Sequence, residues 1–343
     1  MWGLSLGLGG LFFVVLQFLV RAGWSVVVRR VAENIMITLP LFAVLFIPVA
    51  LGLSDTHAHW WDVEVGVDPL LDAKRPYLNK SFFYLRAIVY LLVWVSLSRY
   101  FYNWSKKQDE TGDSEITYRL QGTSAVAVVL FGFSVTFAAI DWLKSMDPHW
   151  YSTMWGVYYF AGCLIAIFSS MTLAILGLQR QGYIQKVINE EHYHDLGKLL
   201  FGFNVFWTYI AFSQYFLIWY ANIPEEQLWF DHRSHGGWKE FAMFLAVGHF
   251  FIPFFYLLPR ATKRNATTLF VGAAWMLFIH YIDMYFIVMP QFSPTVSPSI
   301  VDLLALVGVG SLFFAAFSYA TVRGNLLPMK DPRLGESLAF ENI

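Results

Sequence analysis

A single cysteine, Cys163, occurs in the 343 residues. That scarcity excludes an intrachain disulfide, a CxxCH haem attachment, a thiolate zinc site and a cysteine-ligated iron–sulfur cluster. Charge is scarce too: Asp, Glu, Lys and Arg make up 14% of the chain, and 23 cationic residues face 24 anionic ones. No basic, aromatic-interleaved tract of the kind that grips nucleic acid is present. The chain also lacks a Walker motif and a GxGxxG turn leading into a helix, so nucleotide-driven transport has no support. The first apolar run is followed, not preceded, by positive charge, which does not match a secretory signal peptide.

What the chain has is oil. Hydrophobic residues make up 57% and aromatic residues 19%, and they arrive in runs long enough to cross a bilayer as helices. Nine such runs are expected, at about 2–20, 31–53, 81–102, 120–143, 152–177, 198–221, 239–258, 267–289 and 299–322. The fold class is therefore all-α, a polytopic transmembrane helical protein whose membrane domain covers 1–325. Pro40 and Pro48 fall within the second run and Pro253 within the seventh. Membrane helices tolerate proline, so these runs are kept whole with kinks expected.

The basic residues divide unevenly between the two sets of helix ends. Sixteen, among them Arg21, Arg29, Arg30, Arg119, Arg260 and Arg333, fall on one side, six on the other, and Arg86 lies inside a span. Lys and Arg are retained on the cytoplasmic side during insertion. This split predicts a multi-pass membrane protein with its C-terminus, 326–343, on the cytoplasmic side. Residues 105–117, SKKQDETGDSEIT, read as a solvated cytoplasmic loop. Pro328, Pro332 and Gly335 make an extended tail the expectation.

Against this background the ionisable residues inside spans stand out: Arg86, Asp141, His249, His280 and Asp283. Each costs about 2.5–3.5 kcal/mol near a bilayer centre on insertion scales, so they call for a reason beyond packing. By helical rise all five lie between mid-membrane and the less basic face. His280 and Asp283, three residues apart, share a helix face and form a candidate proton-relay pair with His249. Asp141 and Lys144 sit near the outer mouth, while Glu33, His194 and Asp195 lie at the opposite, inner ends. Uncharged Asn204, Ser213 and Gln214 would have to be bridged by water between them.

Plainer readings stand beside these. Arg86 can simply be the counter-ion of Asp141 or Asp283. His249 and His280, on consecutive antiparallel helices at similar depth, can be read as two axial ligands of a haem b. His57 and His59 in SDTHAHW, with His232 and His235 in DHRSH, resemble metal-ligand spacing without thiolates or an HExxH helix, and no metal is assigned. A secondary transporter would require matched broken helices in two halves, which the prolines do not supply.

Four passages carry a likeness to a known family: AGWSVVVRRVAEN from Ala22, DPLLDAKRPYLN from Asp68, DWLKSMDPHWYSTMWGVYYFAG from Asp141 and HDLGKLLFGFNVFWTYIAFSQYFLIWYANIPEE from His194. The chain resembles the second polysulfide-reductase-type (NrfD-like) membrane subunit of bacterial alternative complex III, over 20 to about 325. The resemblance implies two four-helix bundles with flanking helices, about ten spans in all, so nine point to an absent first helix. It implies a subunit without redox centres of its own, not catalytic alone, in a respiratory or photosynthetic quinol:electron-acceptor oxidoreductase. Partners would be a sister NrfD-like subunit, an iron–sulfur subunit and c-type cytochromes, which carry the clusters and haems. Quinone or lipid contact and a proton-translocation route follow as expectations, with a purely structural anchor as the competing reading.

Overall fold

A computed structural model describes residues 1–185 and 187–342. Among them no strand occurs, and the elements in order are α1 (Trp2–Leu19), α2 (Val26–Met36), α3 (Leu39–Leu51), α4 (Leu53–Thr56), α5 (Ala58–Trp61), α6 (Pro69–Lys74), α7 (Lys80–Thr111), α8 (Glu115–Trp142), α9 (Trp155–Arg180) and α10 (Glu190–Ala221). They continue with α11 (Pro224–Asp231), α12 (Trp238–Ala246), a π-turn at Val247–Phe251, α13 (Ile252–Leu257), α14 (Arg260–Arg264), α15 (Ala266–Val288), α16 (Ile300–Val322) and α17 (Leu334–Leu338). The protein is a polytopic all-α membrane protein.

Eight helical stretches among the described residues are long and apolar enough to cross a membrane, where the sequence predicted nine. The missing one is 198–221. It lies on α10, a 32-residue helix that meets the length but not the apolarity. Asn204, Thr208, Ser213 and Gln214 interrupt it, and its Asn204 and Gln214 are buried inside the bundle. A helix face turned toward protein can carry such groups where a lipid-facing one cannot.

Local chemistry sets where the long helices start and stop. Asn79 opens α7 by accepting the Phe82 N–H at 2.9 Å, and Gly112, at φ 74°, closes it in the left-handed region. Asn189 and His192 form a reciprocal cap at the start of α10, as Ser299 and Asp302 do for α16. Pro40 occupies the second position of α3, where no intrahelical N–H is needed, so the run breaks at Ile37 and Thr38 instead of bending through. Pro48 stays within an unbroken helix. Pro253 has no N–H to offer the His249 carbonyl four residues back, and the helix widens there into the π-turn. Trp275 Nε1 donates to the Gly248 carbonyl at 2.7 Å and so satisfies one loosened group.

The first span, weakest on sequence, is the central post. α1 packs against α2, α8 and α9, and its glycines let backbones touch: a Cβ at Gly9 would stand 2.2 Å from the Cys163 carbonyl oxygen. Around it, α7, α8 and α16 turn Leu85, Ile88, Leu92, Val126, Phe133, Leu304 and Phe314 outward, an apolar wall suited to acyl chains. The tail is not simply extended. Residues after Arg323 fold back on the arginine-rich end, where Asp331 pairs with Arg29 at 2.5 Å. There Ser337 on α17 donates to the Trp24 carbonyl at 2.5 Å and accepts from Val27 N–H at 3.1 Å. Unpaired backbone at the start of α2 supplies the reason, since those groups have no intrahelical partner.

Candidate functional site

Asp283 on α15 is fully buried. One carboxylate oxygen accepts from the Tyr158 hydroxyl of α9, and the other accepts from Trp207 Nε1 of α10 at 3.2 Å. No cation forms an ion pair with it among the described residues, so two neutral donors hold it. The face of the Trp207 indole is occupied by His249, whose ring lies 3.6 Å away between centroids at an interplanar angle of 16°. His249 is fully buried with neither ring nitrogen hydrogen-bonded. The π-turn aims it there: the extra residue changes the direction of the side chain relative to a plain α-helix.

His280 shares α15 with Asp283, but no hydrogen bond joins them. Its Nε2 meets Ser5 Oγ of α1 at 2.9 Å and its Nδ1 is unpartnered. Gly162 makes room for the ring, since a Cβ there would stand 2.6 Å from His280 Cε1. Trp207 thus lies on the face of the His249 imidazole and Gly162 lies against that of His280.

Arg86 and Asp141 form a separate unit. Arg86 Nε and Nη2 reach the two Asp141 oxygens at 2.7 and 3.1 Å, and the Tyr77 and Tyr90 hydroxyls donate to the same oxygens at 2.9 and 2.8 Å. Arg86 Nη1 also donates to the Tyr77 carbonyl at 2.9 Å, and the guanidinium rests 3.9 Å from the Tyr77 ring centroid. The carboxylate thus has four donors and the arginine is its counter-ion, a saturated pair of the kind that lets both charges exist in an apolar interior.

At the arginine-rich end Glu33 is equally enclosed. Arg29 and Arg30 each approach it at 3.2 Å, and the Ser105 hydroxyl lies 2.9 Å from both carboxylate oxygens. Arg30 continues to Asp109 at 2.7 Å and Arg29 to Asp331. Glu33 is therefore the centre of a latch joining α2, α7 and the tail, not a side chain at an open mouth. Asp195 pairs with Lys198 at 2.5 Å, and His194 keeps an unpartnered Nδ1. Burial and the cations Lys198, Arg260 and Lys263 hold the His194 imidazole below its ordinary basicity.

The opposite end is built from two passages docked together. Asp68 caps α6 through one oxygen and takes His149 on the other at 2.5 Å, while Lys74 at the far end of α6 donates to the Pro148 carbonyl at 2.5 Å. Lys144 lies beside this contact, with its ammonium 5.6 Å from the Tyr151 ring centroid. His57 is buried against Trp60 and Phe83, and that burial pushes its pKa down to about 4. No group of three or more His, Cys, Asp or Glu among the described residues is arranged to hold a metal ion.

Of the residues singled out on sequence, then, the fold brings together His249 and Asp283 through Trp207, and Arg86 with Asp141. Glu33 is held apart from His194 and Asp195 in its own network. Tyr158, Trp207 and Ser5 were missed, because neutral aromatic and hydroxyl residues are common in apolar helices and carry no charge signal. Arg233 was missed as a buried group. It donates to the carbonyls of Trp229, Phe286 and Ile287 at 2.9, 3.2 and 2.8 Å and stacks 3.6 Å over Trp229, and burial lowers its pKa to about 9. Between the Asp283 cluster and the arginine-rich end, both polar atoms of Asn204 and the Ser169 hydroxyl are buried without partners. Groups so placed are ordinarily satisfied by internal water.

No known family model matches the chain, and no curated protein matches it.

Proposed function

We propose that this chain is an integral membrane subunit of a quinol:electron-acceptor oxidoreductase of the alternative complex III type, and that it contributes assembly surface and a proton route. Asp283 is the central carrier of that route. The observation that carries the reading is a fully buried carboxyl held by a tyrosine hydroxyl and an indole with no cation beside it. Intramembrane carboxyls lacking a resident counter-ion are the groups that load and release protons in membrane proteins. His249, stacked on the same indole, and His280, on the same helix, are its neighbours in the relay.

Toward the arginine-rich end the route runs past Asn204 and Ser169 through water, with His194 and Asp195 at the entrance. Toward the opposite end it leaves by the Asp141 and Lys144 region, where Arg86 pairs with the Asp141 carboxyl. The lopsided basic residues support a cytoplasmic arginine-rich end. The iron–sulfur protein and c-type cytochromes would supply the redox centres, with the sister membrane subunit beside this chain in the bilayer. The saturation of Arg86–Asp141 and of Glu33 favours a structural role for those groups, and an anchor function is what remains if the relay fails.

The test is the reconstituted complex. Asp283→Asn keeps the packing, since the amide oxygen can accept from Trp207 and the amide N–H can donate to Tyr158, but it cannot carry a proton. The expected result is a lower proton-to-electron ratio with unchanged haem content and subunit composition, and a wild-type ratio refutes the relay. Purification in mild detergent without copurifying cytochrome and iron–sulfur protein refutes membership of the complex.

A further inference from the structure

We propose that Lys74, Lys144 and Tyr151 form a binding site for a phosphate group at the rim of the bundle, with an anionic phospholipid headgroup or free phosphate as its source. The two ammoniums approach one ring, at 4.3 Å from the Tyr151 centroid for Lys74 and 5.6 Å for Lys144. These distances bring two like charges from different elements, α6 and the turn after α8, to one place. Like charges so gathered repel unless an anion lies between them.

The protein places no carboxylate in direct contact with either ammonium, although Asp147 lies within Coulombic reach of both and Asp68 of Lys74. Neither lysine forms an ion pair among the described residues: Lys74 donates only to the Pro148 carbonyl at 2.5 Å, and Lys144 has no hydrogen-bond partner. Asp147 is the carboxylate of the turn; it forms no ion pair with either lysine, and its Oδ2 is buried and unpartnered. Asp68 is occupied by His149 and by the α6 cap. Both lysines are only partly buried.

Position selects the chemistry. Lys144 follows directly on a membrane-crossing helix and Tyr151 is 45% exposed, the level at which aromatic and basic side chains meet lipid headgroups. A phosphate presents several oxygens and can accept from two ammoniums at once. Nothing in this inference depends on the proton route.

The experiment measures reductive methylation of each lysine by peptide mass spectrometry. Lys80, exposed and paired with Asp62, is the internal reference. Protein in phosphatidylcholine nanodiscs is compared with protein in nanodiscs containing phosphatidylglycerol, and detergent-solubilised protein is titrated with inorganic phosphate. Slowing of Lys74 and Lys144 roughly tenfold, as for one charge-assisted hydrogen bond, with Lys80 unchanged, is the expected result. Protection by phosphatidylglycerol alone identifies a lipid, and protection by inorganic phosphate identifies the free ion. In Lys144→Gln the protection of Lys74 should fall by a similar factor. Unchanged rates in both media, or equal slowing at Lys80, overturn the site.

Discussion

His249 lies flat on Trp207, with 3.6 Å between ring centroids and 16° between planes, while the same indole donates its N–H to Asp283. One side chain therefore holds a histidine by its face and a carboxyl by its edge. Trp207→Phe should keep the stacking and withdraw only the donor, and Trp207→Leu should remove both. Thermal unfolding in detergent should rank wild type above Trp207→Phe above Trp207→Leu, with the first step costing about 1–3 kcal/mol for a buried acceptor left short of a partner. Equal midpoints for wild type and Trp207→Phe would show that the indole N–H does not matter to Asp283.

The Arg86–Asp141 pair makes an opposite prediction about single and double changes. Removing either partner strands a buried charge, at about 3–5 kcal/mol. Arg86→Met combined with Asp141→Leu should recover most of that loss, leaving only the cost of the freed Tyr77 and Tyr90 hydroxyls. A double-mutant cycle on thermal midpoints checks it, and additive losses would contradict the saturated-pair description.

His57 predicts a pH dependence with a definite sign. Burial lowers its pKa from 6.5 to about 4, so the folded protein refuses a proton that the unfolded chain accepts. Its contribution is complete above pH 6.5 and is lost as pH falls toward 4, by up to roughly 3 kcal/mol. His57→Gln should flatten the stability profile across that window. A profile as steep as that of wild type would place the titrating group elsewhere.

Gly9 tests the central post. A methyl group there meets the Cys163 carbonyl oxygen at 2.2 Å, a backbone atom that cannot swing aside. Gly9→Ala should force α1 from α9 and destabilise by about 1–3 kcal/mol, whereas Gly122→Ala on α8, with open space at its Cβ, should not. Comparing their midpoints decides between close helix contact and a loose first span.

Much of the frame was legible in the chain because apolar run length is a one-dimensional property. The long runs, the alternation of basic ends and the pairing of Arg86 with a carboxylate could all be read directly. Three things could not. The burial of α1 depends on which neighbours its glycines meet, and the place of the polar groups on α10 turns on whether Asn204 and Gln214 face protein or lipid. The tail's prolines suggested an extended segment, while Arg29 and the open start of α2, some three hundred residues away, draw it back. At the candidate site the charged residues were visible and their neutral donors, Tyr158 and Trp207, were not, since nothing in spacing distinguishes an aromatic donor from an aromatic filler.

The extra residue accommodated at Val247–Phe251 has a geometric result of its own. Each residue turns an α-helix by about 100°, so the stretch from Trp238 and the stretch to Leu257 are out of phase, and no single helical wheel describes both. His249 stands on that seam. Deleting one residue there would restore a continuous phase and swing the imidazole off the indole, so the length of this segment, as much as its composition, decides where the ring points.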